Sequence, residues 1–354
     1  MDLEVRRDDL HTTRWNDSGP PGLDDGETLL RTSMFSLTSN NVTYAVFGDA
    51  MAYWQFFPAA AGWGRVPVWG YADVEASRSD LLREGERIYG YLPMGSHLVV
   101  TPSHATEAGF VDATEHRASL PPAYNRYQRV AGEPSQDPKR EREYALLRPL
   151  FFTGFLLDDW LDDSGVDVTR VVLASASSKT ALALAFLQSQ RDGVEVVGLT
   201  SPANLGFVES VGYYDRVVTY DAVTDLEGSS PTAYVDMAGS AAVRGAVHHH
   251  LADSLVTSCA VGATHWSETG GGGELPGPAP TFFFAPDRIT KRAADWGPDG
   301  LDSRLGAAWT DFLGSVDGWL EIVERQGPGE VEATWLEVLD GGAPPARGYV
   351  LSLP

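Results

Sequence analysis

Apolar and polar positions follow two different rhythms along this chain, one in its middle and another at its two ends. Between Val171 and Ala285, short, mostly apolar runs alternate with stretches of helical spacing. The runs are Val171–Leu173, Val194–Leu199, Arg216–Tyr220, Thr232–Met237, Leu255–Val261 and Thr281–Ala285. Helical spacing fills the intervals from Lys179, over Asn204–Val211, and through His248, His249 and His250. A strand apolar on both faces has helices on both sides, so the alternation predicts a doubly wound parallel sheet.

The ends are punctuated by glycine and proline. Glu27–Thr38 predicts a strand entering a turn at Ser39-Asn40-Asn41, and Arg65–Thr101 reads as all β, interrupted by the polar loop Leu81–Glu86. Residues up to Asp25 are polar, a frayed segment or edge strand. Near the other end Leu301–Val323 has helical spacing, and Gly329–Pro354 returns to short β segments, VEATWLEVL and GYVLSLP. Together the ends predict a β-rich, partly open barrel. The charged stretch Gly132–Glu143 marks a boundary, followed by a helix over Tyr144–Leu161 whose Asp158–Asp163 cluster faces solvent. This gives one domain from 1–143 and 325–354 and another from 144–324.

Composition narrows the partners. The chain has 354 residues, 43% of them hydrophobic, enough for two cores. A net charge of −23 argues against unspecific binding to nucleic acid or anionic membranes. No apolar run is long enough to span a bilayer and the first residues lack a signal core, which predicts a soluble, cytoplasmic protein. The single cysteine, Cys259, lies in an apolar run and reads as a buried structural thiol. Three adjacent histidines splay around a helix and predict a solvated surface, not a metal site. Residues Thr269–Pro280 (TGGGGELPGPAP) predict a flexible loop.

Chemistry concentrates after the first apolar run. Ala174-Ser175-Ala176-Ser177-Ser178 is a turn of small residues, and Lys179-Thr180 opens an Ala/Leu-rich helix. The first N–H groups of a helix are unpaired and their dipoles favour an anion, such as a dinucleotide pyrophosphate. Ser175, Ser178 and Ala181 hold the spacing where the usual fingerprint has glycines. A strand, a serine turn and a helix also serve as plain scaffold. A Walker-type loop is excluded, since Leu173 and Ser178 stand where it needs glycine. A Tyr-x-x-x-Lys pair is absent at Lys139, Lys179 and Lys291. The second strand ends in Thr200-Ser201 with no carboxylate to repel a 2′-phosphate, which favours NADPH over NADH. The candidate cofactor set is Ser175, Ser177, Ser178, Lys179, Thr180, Thr200, Ser201, Tyr220, Gly239 and Gly262.

Two further stretches stand out. Val42–Phe57 is dense in aromatic residues, which suit a core or a substrate pocket. Tyr124-Asn125-Arg126-Tyr127 follows the rigid pair Pro121-Pro122, as a surface turn or a functional loop.

The order of elements resembles the medium-chain dehydrogenase/reductase superfamily over nearly the whole chain, particularly its zinc-free, quinone-oxidoreductase-like members. SASSKTA (Ser175–Ala181) and YNRY (Tyr124–Tyr127) resemble an uncharacterised branch, a family of unknown function. Gly212–Asp215 (GYYD) resembles the superfamily's Gly-Ala-Asp turn. The resemblance implies a Rossmann-like sheet domain joined to a GroES-like barrel, NADP(H) as cofactor, and dimerisation through a sheet edge. SNNVTY (Ser39–Tyr44) sits where zinc-containing members begin their ligands and carries no cysteine, which implies no zinc. The expected activity is NADPH-dependent reduction of a carbonyl or an activated double bond in a small organic substrate. Tyr44, Tyr124 and Asn125 are the candidate catalytic residues, because they fall in the two non-Rossmann stretches expected at a substrate cleft. The residues leave open a non-redox carbon–carbon lyase or hydrolase, and an NADPH-binding protein without catalysis.

Overall fold

The computed structural model describes residues 1–133, 135–261 and 275–354. The chain divides into two units, Met1–Arg148 with Glu321–Pro354, and Pro149–Leu320. In chain order the first stretch forms β1 (Asp2–Arg6), β2 (Thr13–Asn16), β3 (Thr28–Leu37), helix α1 (Ser39–Val46), β4 (Trp63–Arg65), β5 (Pro67–Ser77) and β6 (Arg87–Pro93). It continues with β7 (His97–Val100), β8 (Pro102–Ser103), β9 (Gly109–Asp112) and β10 (Arg126–Arg129). Helix α2 (Glu141–Asp163) leads into the second unit, the division falling inside it at Arg148/Pro149 rather than in the charged stretch before it.

The second unit comprises β11 (Arg170–Ala174), α3 (Lys179–Gln188), β12 (Glu195–Thr200), α4 (Leu205–Val211), β13 (Arg216–Thr219), β14 (Thr232–Asp236) and α5 (Ala241–Leu251). It ends with β15 (Leu255–Val261), β16 (Thr281–Phe283), α6 (Ala285–Trp296) and α7 (Pro298–Ser315). Then β17 (Glu321–Gln326), α8 (Pro328–Leu339) and β18 (Arg347–Ser352) return to the first unit.

In the first unit a three-stranded sheet, β2-β1-β4, accompanies a nine-stranded one in the order β17-β18-β3-β5-β6-β10-β9-β8, with β7 pairing β3. Alternate positions of β5 and β6 feed a core containing Val68, Ala72, Val74, Ile88 and Leu92, closed by Val331, Trp335 and Val338 of α8. Two sequence expectations fail here. Ser39-Asn40-Asn41 opens α1 instead of turning: the Thr38 N–H donates to Asn41 Oδ1 (2.8 Å) and Thr38 Oγ1 accepts from the Asn40 N–H (3.3 Å). Turns and helix caps use the same short polar side chains, so composition alone does not separate them. VEATWLEVL is helical, because Val331, Trp335 and Val338 share one buried helix face. Likewise the helix expected to reach Val323 stops at Ser315, and Glu321–Gln326 is a strand parallel to β18.

The second unit's sheet is six-stranded and parallel throughout, in the order β13-β12-β11-β14-β15-β16. Counted along the chain this is 3-2-1-4-5-6, the order of dinucleotide-binding sheets, and it reverses between β11 and β14. Every residue of β11 is buried, as are Ala181–Ala185 of α3. Gly154 lets α2 and α3 approach closely, since a Cβ there would lie 2.9 Å from that of Ala183. The acidic cluster ending α2 faces solvent only in part: Asp162 and Asp163 are exposed, whereas Asp159 is buried. Asp159 accepts from Arg288 Nε (2.5 Å) and Arg292 Nε (2.7 Å), and Asp163 from Arg288 Nη1 (2.7 Å) and Arg292 Nη2 (2.9 Å). Of the three histidines His249 is exposed, as expected, and the other two are not. His248 is buried, its Nδ1 donating to the Pro276 carbonyl (2.9 Å) and its Nε2 accepting from Ser258 Oγ (2.9 Å). His250 Nε2 donates to the Leu226 carbonyl (2.7 Å). Cys259 is buried, and burial raises its thiol pKa. Among the described residues no helix is long and apolar enough to cross a membrane. Gly262 and residues 269–274 of the glycine-rich loop lie outside the described residues.

Candidate functional site

The turn that leaves β11 is tight and is built without glycine at its tightest point. Ser175 has φ +56°, the left-handed region, which costs a residue other than glycine about 1–3 kcal/mol. Four hydrogen bonds hold it there. The Ser175 N–H donates to the Tyr220 hydroxyl (3.1 Å) and the Ser178 N–H to the Ser175 carbonyl (2.8 Å). The Ala176 N–H donates to the Leu199 carbonyl (3.0 Å), and the Tyr214 hydroxyl to the Ala176 carbonyl (2.8 Å). The close approach is permitted from the next strand. At Gly198 of β12 a Cβ would lie 2.9 Å from the Ala176 Cβ and 3.0 Å from the Tyr214 ring.

Beyond the turn, Ser178 caps α3, its Oγ accepting from the Ala181 N–H (3.3 Å). Ser177 Oγ accepts from Asn204 Nδ2 (3.1 Å). The backbone N–H groups of Ser177 and Thr180 take no partner among the described residues. They are the donors a helix start offers an anion. Lys179 is half-buried at the first helical position, and burial pushes its ammonium down to about 8.

Neighbouring strands end beside this turn. Thr200 is buried and pairs in register with Thr219, while Ser201 opens the turn Pro202–Asn204. Asp236, fully buried at the end of β14, accepts from the Ala238 and Gly239 N–H groups (3.0 and 2.9 Å) and from Arg244 Nε (2.8 Å). That fixes Gly239 at φ +68°. The structure thus gathers Ser175–Thr180, Thr200, Ser201, Tyr220 and Gly239 at the carboxyl ends of one parallel sheet. Sequence reasoning missed Gly198, Asn204, Tyr214, Asp236 and Arg244. Asp236 carried a signal, an Asp two and three residues ahead of Ala-Gly, the spacing of a side chain capping its own turn.

The first unit holds the other candidates. Trp69 and Tyr71 of β5 stand opposite Tyr91 and Tyr89 of β6. Over this aromatic face pack Tyr44 from α1, Tyr53, Phe56 and Phe57 from the segment after it, and Tyr124. Tyr124 lies 4.7 Å from Tyr91, centroid to centroid, and Tyr44 4.7 Å from Tyr53. Trp69 Nε1 donates to the Tyr44 hydroxyl (3.3 Å), and the Tyr53 and Tyr124 hydroxyls lie 3.4 Å apart. Burial pushes the Tyr44 and Tyr124 phenols well above the usual tyrosine value, so both keep their protons at neutral pH. The buried hydroxyls of Tyr89 and Tyr91 have no hydrogen-bond partner among the described residues, each worth about 1–3 kcal/mol of lost solvation.

YNRY is explained by a buried arginine. Arg117, 1% exposed, donates through Nε to Asn125 Oδ1 (3.0 Å), through Nη1 to Asp112 Oδ2 (2.7 Å) and the Tyr127 hydroxyl (3.0 Å), and through Nη2 to the Tyr124 carbonyl (3.0 Å). Asn125 Nδ2 donates back to the Arg117 carbonyl (3.0 Å). The Asn125 amide is therefore engaged at both ends, while Tyr124 is held by its backbone with its ring on the aromatic face.

The architecture has known counterparts. CurA from Vibrio vulnificus, solved in complex with NADPH, superimposes with a TM-score of 0.65 at 15% identity, covering 97% of this chain and 94% of that one. The CurK enoyl reductase gives 0.56 at 14% identity over 100% of both chains. The quinone oxidoreductase from Coxiella burnetii gives 0.55 at 14%, over 100% and 99%. At such identities the likeness is one of fold: a Rossmann-like doubly wound sheet with a β-rich, GroES-like partly open barrel, as in medium-chain dehydrogenases/reductases. The model of the family described as "Protein of unknown function (DUF2855)" matches residues 35–344, and the chain belongs to that family. None of the curated proteins matches the sequence.

Proposed function

We propose that this protein binds NADP(H) at the serine turn and, without zinc, reduces a carbonyl or an activated carbon–carbon double bond of a small organic substrate. One observation carries the reading. Ser175 is held in a glycine-like conformation at the point where the 3-2-1-4-5-6 sheet reverses, directly before the N-terminus of α3. The turn fits the group, because its side chains are small, two helix-start N–H groups are unclaimed among the described residues, and a cation stands beside them. Ser175, Ser177, Ser178, Lys179 and Thr180 would hold the pyrophosphate, with Tyr220 and Gly239 lining the neighbouring strand ends. Thr200 and Ser201 present no carboxylate to a 2′-phosphate. The NADPH complex of CurA supports the choice of cofactor. When bound, the dinucleotide supplies a hydride.

The remaining work falls to the chain's own groups. Tyr44 or Tyr124 hydrogen-bonds the substrate oxygen and delivers a proton, being neutral phenols in a water-poor surrounding. Asn125 acts through Arg117, which anchors Tyr124. The test is nicotinamide absorbance against a panel of aldehydes, ketones and enones, with Tyr44→Phe and Tyr124→Phe alone and together. Proton transfer from a positioned side chain contributes about 10²–10⁴-fold, so at least one variant loses that much kcat while remaining folded. Full turnover in the double variant removes these roles. Turnover without nicotinamide oxidation replaces the reading with a lyase or hydrolase.

A further inference from the structure

A buried carboxylate stands beside the serine turn. Asp236, fully buried, closes β14, and because Val235 pairs with Leu173 it ends its strand level with Ala174, one residue before Ser175. Ala174, Tyr220, Tyr234 and Ala238 pack in one cluster, and strand alternation puts the Asp236 side chain on the same face as that of Tyr234. Its charge reaches the turn. Burial, and after it the Asp236 carboxylate, raise the Tyr220 phenol, whose hydroxyl accepts from the Ser175 N–H. Left bare, such a carboxylate opposes any anion bound at the turn, and the chain's net charge of −23 adds to the opposition.

Arg244 answers that charge. It is the fourth residue of α5, whose side chains lean toward the helix N-terminus and so back over the end of β14. Nε and Nη2 both reach Asp236 Oδ2 (2.8 Å each), while Oδ1 is taken by the Ala238 and Gly239 N–H groups. The guanidinium is held along one edge, and Nη1 takes no partner among the described residues. An asparagine at position 236 would cap the same two N–H groups, so the turn alone does not call for a charge. Nor does stability, since a buried ion pair is often no better than an apolar one. What the carboxylate adds is its grip on Arg244.

We infer that Arg244 is a second cation of the cofactor's anion site, held and neutralised by Asp236 along one edge and left with Nη1 to donate to the phosphates at the serine turn. The inference rests on the NADP(H) reading for the identity of the ligand. Lys179 follows β11 and Arg244 follows β14, the two strands between which the sheet order reverses, so the cations flank the crevice where such sheets take their ligands.

The experiment titrates the full-length protein by calorimetry, at fixed ionic strength, with NADPH and separately with inorganic pyrophosphate. The natural chain is compared with Arg244→Met, Asp236→Asn and the double variant. Arg244→Met removes a charge-assisted donor and bares Asp236, so both ligands should bind at least about tenfold more weakly. Asp236→Asn keeps the turn capped and releases the Arg244 charge, so both should bind about threefold more tightly. The double variant should regain about that same factor over Arg244→Met. A pair that served only the fold would instead weaken binding in both single variants, through the disturbed Gly239 turn. Weaker binding in Asp236→Asn, or unchanged binding in Arg244→Met, overturns the inference. Should Arg244→Met fail to fold, the sign of the Asp236→Asn effect decides. Pyrophosphate binding with the expected pattern in a protein that ignores NADPH sinks the cofactor reading and leaves Arg244 in its role. NADPH binding with the Asp236→Asn effect reversed does the opposite, and binding of neither ligand ends both.

Discussion

The two candidate regions are made by different means. The serine turn of the second unit is a backbone device. Its chemistry lies in N–H groups, and its side chains serve by being small or by holding φ at Ser175 positive. The aromatic face of the first unit is a side-chain device, in which strand pairing and burial set rings and hydroxyls. A backbone site therefore tolerates loss of its usual residues as long as the geometry is held from outside, here by Gly198, Tyr214 and Tyr220. A side-chain site has no such substitute.

The sharpest way to break the comparison is to remove the charge beneath the side-chain region. Arg117→Met leaves the Asp112 carboxylate buried without its cation, which costs about 3–5 kcal/mol. Chemical denaturation should show a loss of that size, and a loss under about 1 kcal/mol would mean the network is dispensable. In the backbone region, Gly198→Ala places a Cβ 2.9 Å from that of Ala176, overpacking worth about 1–3 kcal/mol. Its NADPH affinity should fall with stability, since the turn must shift.

Ser175 sharpens the contrast with a smaller effect of opposite sign. Ser175→Gly relieves left-handed strain at some entropic cost, a net gain of about 1 kcal/mol with NADPH binding kept. Ser175→Val, β-branched at positive φ, should lose binding. Were valine tolerated and glycine neutral, the turn would not depend on that conformation.

The smallest effect is electrostatic. Lys179 is depressed to about 8 from its ordinary 10.5, so between those values the unfolded chain binds the extra proton. Stability contributed by this residue should rise with pH across that window, while NADPH affinity falls as the ammonium is lost above about 8. Lys179→Met should flatten both profiles, checked by titration and thermal melts at stepped pH.

Legibility followed the same division. The all-apolar run Val171–Leu173, the small turn and the alternation after it announced the parallel sheet, because every signal there is local. Ser39-Asn40-Asn41 and VEATWLEVL misled, since a capping box resembles a turn and the β-branched and aromatic residues of the second segment mask the i, i+4, i+7 helical spacing of Val331, Trp335 and Val338. The acidic end of α2 was beyond local reading, as Asp159 meets Arg288 across 129 positions of sequence. Tyr44 and Tyr124 were visible as dense aromatic stretches. Tyr89 and Tyr91 were visible only as strand residues, because an unmet hydroxyl depends on what the rest of the chain brings over it.

The most direct test is to titrate the purified protein separately with NADPH and NADH, following tryptophan quenching, and to repeat it with Ser175→Val. A glycine-free turn that keeps its geometry predicts saturable binding, NADPH favoured at least tenfold over NADH, and loss of both in the valine variant. Absence of binding by either nucleotide, or unchanged binding in Ser175→Val, would contradict it.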